Sequence, residues 1–291
     1  MIRTLNEEAL INVIWGATLL GGGGGGSLQS GLDMLEAYKK AHPEKAPELE
    51  LITYDEMLEG EYAAVTAGMG SPQAIVGLDF SQYAINAFEL LQEMAKREGK
   101  NLKYSIPVEL GGFNTFVPML ISLVKGISFV DADGAGRAVP ALETLAKKGI
   151  VEAKVIGKGK VEKVFTDMSG GFDYGYVLVK GEDDADYKVD FQNENLLVSK
   201  GKNGTFTPLM TVPDITCMYC IQTIPGSPVK AGMPVSNADV KEGMVVGIGA
   251  IKVNEKWFKD ENHDKKWWTV WKEYMDNINY TGENIPFDHL K

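Results

Sequence analysis

Apolar side chains in the first forty residues recur at the three- and four-residue spacing of a helix with one buried face. Ala9, Leu10, Val13, Ile14 and Ala17 make the first stripe, and Thr4 with Glu7 predicts a capping box at its start. Six consecutive glycines, Gly21–Gly26, end that helix. A second helix is predicted from about Ser27, with Leu28, Leu32, Leu35 and Tyr38 on one face, stopping before Pro43. The pattern then alternates. Strands are expected at Leu49–Tyr54, Tyr62–Ala67 (read as buried), Leu102–Val108 and Ile127–Val130, and helices at Gln82–Arg97, Thr115–Val124 and Val139–Lys147. Short apolar strands alternating with helices imply an α/β unit, a mostly parallel sheet with flanking helices, over residues 1–150.

Near Gly149 the period changes to two. Val161–Phe165, Tyr174–Val179, Tyr187–Phe191, Asn195–Ser199 and Val245–Ile251 read as strands separated by Gly, Asp and Asn turns. A second, all-β barrel-like or sandwich domain is therefore expected over residues 151–253. Residues 254–291 form an aromatic tail with Trp257, Phe258, Trp267, Trp268, Trp271 and Tyr274. A short helix is predicted near Lys265–Met275, and the tail is expected to pack back on the α/β domain or on a partner subunit.

Composition narrows the functional classes. The 291 residues carry 29 Lys plus Arg and 40 Asp plus Glu, a net charge of −11, which argues against binding a nucleic-acid backbone. No apolar run is long enough to span a bilayer, and the segment MIRTLNEEAL has no apolar signal core, so a cytoplasmic address is the expectation. Two cysteines, Cys217 and Cys220, are too few for a disulfide framework. Their C-x-x-C spacing leaves three readings open: a redox pair, half of a zinc site, or inert buried thiols.

Chemistry is expected where ligands bind in open parallel sheets, beyond the carboxyl ends of the strands. Gly68 and Gly70 follow one predicted strand. Glu109, Gly112 and Asn114 follow the next, and Asp131, Asp133 and Arg137 follow the last. The loop containing Gly23, Gly24 and Gly25 opens a helix and joins them as a fourth segment. Glycine N–H groups at a helix start suit an anion or a developing oxyanion. Asn114 can donate and accept together, and Glu109, Asp131 and Asp133 are candidate bases. Arg137 could clamp a carboxylate or pair with Asp131 or Asp133. Gln192, Asn193 and Glu194 form a polar run in the β domain that could face the same site, or be a turn satisfied by its own backbone. A catalytic divalent metal has Asp131, Asp133 and Cys217 as candidate ligands; no other cofactor is indicated. The glycine run also contains G-x-G-x-x-G, but no strand precedes it, which weighs against a dinucleotide site.

The segment VELGGFNTFVPMLISLVKGISFVDADGAGRAVPA, with Glu109, Gly111, Gly112, Asn114, Pro118, Asp131, Asp133, Gly134, Gly136, Arg137 and Pro140, resembles the S-methyl thiohydantoin desulfurase family. The run Phe191-Gln192-Asn193-Glu194-Asn195-Leu196, the turn Ser169-Gly170-Gly171-Phe172 and the stretch Val212-Pro213-Asp214 with Cys217 extend the resemblance in the same order. Cys220 and a shorter segment after Arg137 depart from the family pattern. The resemblance implies an α/β domain followed by a β-barrel, and hydrolytic removal of sulfur from a thiohydantoin ring or its S-methyl derivative. Asp131 or Asp133 would then be the base or hold a metal, Asn114 and Asn193 would read ring amide edges, and Arg137 would hold a substrate carboxylate. The small-molecule substrate is thus the expected ligand, and a homo-oligomer or a hydantoinase-like partner the expected company. The alternative is a non-catalytic accessory protein of a hydantoinase/oxoprolinase-type enzyme.

Overall fold

A computed structural model describes residues 3–71, 79–135, 152–253 and 271–290. The α/β layer is built on a five-stranded sheet in the order β1-β2-β5-β4-β3. Strand β1 is Arg3–Leu5, β2 Leu49–Ile52, β3 Glu61–Val65, β4 Asn101–Ile106 and β5 Ser128–Val130. Strands β2, β5, β4 and β3 run parallel, and β1 pairs antiparallel with β2 at one edge. Leu5 pairs opposite Leu49, Ile52 opposite Val130, and Val65 opposite Ile106, so the carboxyl ends of the parallel strands share one rim.

Four helices accompany this sheet: α1 (Glu7–Leu20), α2 (Leu28–Ala41), α3 (Ser81–Arg97) and α4 (Gly112–Lys125). The N-cap of helix α1 lies two positions beyond that of the predicted capping box. Asn6 is its N-cap, accepting from the Ala9 N–H at 3.0 Å, because Thr4 is drawn into β1 and pairs with Glu50. Ser27 caps α2 as expected, its hydroxyl accepting from the Ser30 N–H. Helix α4 is buried on every side from Gly112 to Leu123, which explains why its sequence lacks a polar face. It is the centre of a core that includes Leu10, Ile14, Leu35, Phe88, Phe116 and Phe129. The strand expected to be buried, β3, is instead the far edge of the sheet among the described residues, with Tyr62 and Val65 facing solvent. Its apolar composition gave no sign that it has a single neighbour among the described strands.

The remaining strands form one eight-stranded antiparallel sheet, in the order β10-β9-β8-β7-β6-β13-β11-β12. They are β6 (Glu152–Ser169), β7 (Phe172–Gly181), β8 (Asp186–Gln192), β9 (Glu194–Lys202), β10 (Thr205–Thr211), β11 (Ile215–Gln222), β12 (Pro234–Val235) and β13 (Val245–Lys252). Long β6 pairs with β13 through its first half and with β7 through its second. The sheet curls until Asn195 Nδ2 of β9 donates to the Thr216 carbonyl of β11 at 2.8 Å. The expected barrel is met as a curled sheet: no ladder among the described residues joins β10 to β12. Its concave core holds Val177, Val189, Phe191, Val246 and Ile248.

Trp271 and Met275, on a helical segment at residues 271–277, are fully buried. They pack with Leu196, Val212, Ile215 and Cys217 of the β sheet and against Leu19 and Leu20 at the end of α1. Farther on, Phe287 N–H donates to Asp214 Oδ2 at 2.7 Å. The predicted helix Val139–Lys147, and Trp257, Phe258, Trp267 and Trp268, lie outside the described residues. No described helix is long and apolar enough to cross a membrane.

Candidate functional site

The hexaglycine loop is buried throughout and is gripped from both sheets. From the α/β side, Asn114 N–H donates to the Gly25 carbonyl at 3.0 Å. From the β side, Asn195 N–H donates to the Gly22 carbonyl at 2.7 Å and Asn237 N–H to that of Gly23 at 3.2 Å. Side chains pack against the glycines where a methyl group would otherwise be. A Cβ on Gly24 would lie 2.5 Å from Glu194 Oε1, and one on Gly26 would lie 2.3 Å from Phe113 Cβ. This is a loop that lets two domains approach through it, because glycine leaves room for close contact with the backbone.

Helix α4 starts beside this loop. Gly111 precedes it with no capping side chain, so the positive end of its dipole faces the glycines. No backbone carbonyl among the described residues accepts from the N–H groups of Gly23, Gly25 and Gly26. The start of α2 is used differently: the Leu28 N–H donates to buried Asp239 of the β domain, whose carboxyl is held above its usual range by burial in spite of that bond.

Two buried carboxylates flank the loop. Glu109, 7 % exposed beyond the end of β4, has Oε1 held by Asn114 Nδ2 at 2.7 Å. Glu194, 2 % exposed at the start of β9, lies against Gly24. Asn114 also binds both backbone groups of Gly68, donating to its carbonyl at 3.0 Å and accepting from its N–H at 2.9 Å. Its amide is therefore spent on fixing the Gly68 loop and Glu109.

Asn193 is committed in the same way. It occupies the left-handed region (φ 53°) at the β8–β9 turn. Its Oδ1 accepts from Asp173 N–H at 3.0 Å, and its Nδ2 donates to the Gly70 carbonyl at 3.1 Å. Its own carbonyl accepts from Asn237 Nδ2 at 2.7 Å. Ser71 completes this seam by donating to Asp173 Oδ1 at 2.7 Å. Gln192 Oε1 accepts from Asn277 Nδ2 of the tail, also at 2.7 Å. Asn114, Asn193 and Gln192 thus position the domains and loops, where a ring-reading role was expected of the two asparagines.

The structure brings together Gly23, Gly24, Gly25, Gly68, Gly70, Glu109, Gly112, Asn114, Gln192, Asn193 and Glu194. Asp131 and Asp133 follow β5 on the same rim, but no described contact joins them to the glycine loop. Asp131 is half-exposed and pairs with Arg3 at 2.6 Å, a partner brought in by β1. Asp133 Oδ1 accepts from Ala135 N–H at 3.0 Å, as a turn former. Arg137 lies outside the described residues.

The two cysteines occupy strand β11, three positions apart, so they point to opposite faces. Cys217 is buried with Trp271, Leu196 and Val253, while Cys220 joins the concave core with Val235 and Val246. Burial pushes the Cys217 thiol up to about 12. The redox-pair reading is therefore excluded, and the inert-thiol reading fits. A metal held by Asp131, Asp133 and Cys217 does not fit either. Cys217 is enclosed by apolar side chains, Asp131 is held by Arg3, and no described group of three His, Cys, Asp or Glu is arranged to hold an ion.

Sequence reasoning missed Asn237, Asp239, Ser71 and Asp173. The signal for the first two was Ser236-Asn237-Ala238-Asp239, a cluster of turn formers in which Ser236 Oγ donates to Asp239 Oδ2 at 2.8 Å. Ser71 and Asp173 are 102 positions apart and carry no local signal.

Comparison with known proteins agrees with this two-part arrangement. The model of the S-Me-THD-like N-terminal domain matches residues 8–148, and that of the S-Me-THD-like C-terminal domain matches residues 129–264. The chain belongs to the S-Me-THD-like family. Its S-Me-THD-like halves meet at the hexaglycine loop. No curated protein matches the sequence. An X-ray structure of a protein from Chromobacterium violaceum has the same fold, with a TM-score of 0.75 at 17 % identity over 98 % of this chain and 100 % of that one.

Proposed function

We propose that this S-Me-THD-like protein hydrolyses a thiohydantoin-type cyclic thioamide, or its S-methyl derivative, between the α/β and β domains. The observation that carries the reading is the pairing, at one buried junction, of glycine N–H donors with the carboxylates Glu109 and Glu194. Family membership supports the substrate class.

In this reading Glu109, oriented by Asn114, takes a proton from water as its oxygen attacks the ring carbon bonded to sulfur. The negative charge that builds at the tetrahedral centre is met by N–H groups of the glycine loop and by the start of α4, which has no side-chain cap; one such donor is worth about 3 kcal/mol. As the C–S bond breaks, the proton held by Glu109 and the proton of the new hydroxyl are both handed on: both go to sulfur from a thioamide, and one to sulfur and one to the ring nitrogen from an S-methyl ring. A thioamide yields the ring carbonyl and hydrogen sulfide; an S-methyl ring yields the carbonyl form and methanethiol. Glu194 accepts a ring N–H. Asp133 and Asp131 stand farther along the rim as alternative bases, with Arg137 for a substrate carboxylate.

The test is release of sulfide or methanethiol from a panel of thiohydantoins. Glu109→Gln should lower kcat by about 100-fold or more, while Asp131→Asn leaves it within a few-fold. Turnover by neither wild-type protein nor variant, alongside saturable binding of the ring, would replace catalysis by the accessory role.

A further inference from the structure

Two amide side chains among the described residues, Asn195 and Asn237, keep a buried oxygen with no hydrogen-bond partner. Neither is relieved by turning the amide over. Asn195 Nδ2 donates to the Thr216 carbonyl at 2.8 Å, and Asn237 Nδ2 to the Asn193 carbonyl at 2.7 Å. A flipped amide would set oxygen against oxygen at both places. The residues are 1 % and 3 % exposed, so bulk solvent does not serve the two oxygens and a donor has to come from within the junction. A buried acceptor left unpaired weakens a fold by more than an ordinary hydrogen bond strengthens it, so each of these needs an explanation.

Their position supplies one. Both amides lie against Gly23: a Cβ built there would be 2.5 Å from Asn237 Nδ2 and 2.9 Å from Asn195 Oδ1. Glu194, the residue before Asn195, packs on Gly24. The β domain thus lays acceptors along the same loop whose N–H groups at Gly23, Gly25 and Gly26 meet no backbone carbonyl among the described residues. Donors and acceptors stand side by side without satisfying each other. A molecule that carries both in alternation, carbonyl or thiocarbonyl next to N–H, is the complement of such a surface. A bare metal cation would suit the oxygens alone, but the glycine N–H groups and the positive end of α4 would repel it.

We propose that Asn195 and Asn237 read the ring nitrogens of the ligand, their oxygens accepting from N–H while the loop N–H groups take the neighbouring C=O or C=S. The inference rests on the ring hydrolysis proposed above and narrows its substrate class. Glu194 serves one ring N–H and the two amides serve the other, so the site selects rings that keep N–H on both nitrogens, the thioamide before its S-methyl derivative. An amide oxygen suits the task because it is neutral at every working pH and neither gains nor loses a proton. It accepts from a protonated ring nitrogen and repels the anion that forms when that nitrogen loses its proton.

The experiment is calorimetric titration of the full chain with hydantoin, the product ring, and with succinimide, in which CH2 replaces one ring N–H at nearly the same size and both carbonyls remain. Succinimide should bind about 100-fold more weakly or worse, because it leaves a buried acceptor unpaired. In Asn237→Ala that ratio should shrink by about tenfold, since the oxygen that discriminates is gone. If Asn237→Ala loses its cooperative melting transition, the two titrations of wild-type protein decide alone. Equal affinity for the two rings, or a ratio unchanged in a folded Asn237→Ala, overturns the assignment and leaves ring hydrolysis standing. No binding of either ring also overturns it, and turnover of thiohydantoins by the same sample then tells whether the hydrolytic reading falls with it. A melting temperature raised by potassium or calcium chloride in wild-type protein but not in Asn237→Ala would give the oxygens to a cation and overturn the proposal as well.

Discussion

Gly24 and Gly26 are fixed by what surrounds them. The Glu194 carboxylate and the Phe113 side chain occupy the space of their missing methyl groups, and Gly26 also has φ of 82°. Gly24→Ala and Gly26→Ala should each cost about 3 kcal/mol in chemical denaturation. Gly16→Ala, inside α1 with nothing within 4 Å, should instead stabilise by about 0.5–1 kcal/mol. Equal effects at all three sites would contradict the packing role of the loop. Asp239 supplies a pH test. Burial raises its folded pKa above the free value of 3.8, so its favourable contribution is complete below 3.8 and is lost as pH climbs through the raised value. Asp239→Asn keeps an acceptor for Ser236 and Leu28 and removes the buried charge. It should raise Tm at pH 7 and leave it unchanged near pH 3.5; a Tm fall at pH 7 would show that the charge is needed. At this scale the residue types were legible and their partners were not. Asn114 and Asn193 read as polar groups awaiting a ligand, because nothing local reveals that Gly68 and Gly70 will take their amides.

Strand β11 shows how an element decides the fate of a motif. A helix would bring positions three apart to one face; a strand parts them, and Cys217 and Cys220 end in different cores. Neither thiol should react with a disulfide reagent in the native protein faster than about one hundredth of its rate in denaturant, and oxidation should form no internal disulfide. Rapid native labelling of Cys217 would refute its enclosure by Trp271 and Val253. Periodicity placed helices α2 and α3 almost to the residue. It shortened α4, because Gly112 to Asn114 look like loop and become helix only through the contacts of Gly25 and Gly26. It missed β1, whose three residues gain their order from pairing with β2 and displace the expected cap from Thr4 to Asn6.

On the scale of the whole molecule, the parallel register explains why segments from Gly68 to Asp133 share a rim, and this much could be read from strand-then-glycine spacing. Only the three-dimensional fold shows that the β8–β9 turn and the loop at Asn237 close on the same glycines from the other domain, and that Asp131 turns away to Arg3. The junction, more than the rim, is the centre of the account. Its most direct test is a crystal structure with a non-hydrolysed S-methyl thiohydantoin. The ring should lie against Gly23–Gly26, with its sulfur-bearing carbon within about 3.5 Å of a water held by Glu109. A ring found instead beside Asp131 and Arg3, with the glycine loop uncontacted, would contradict it.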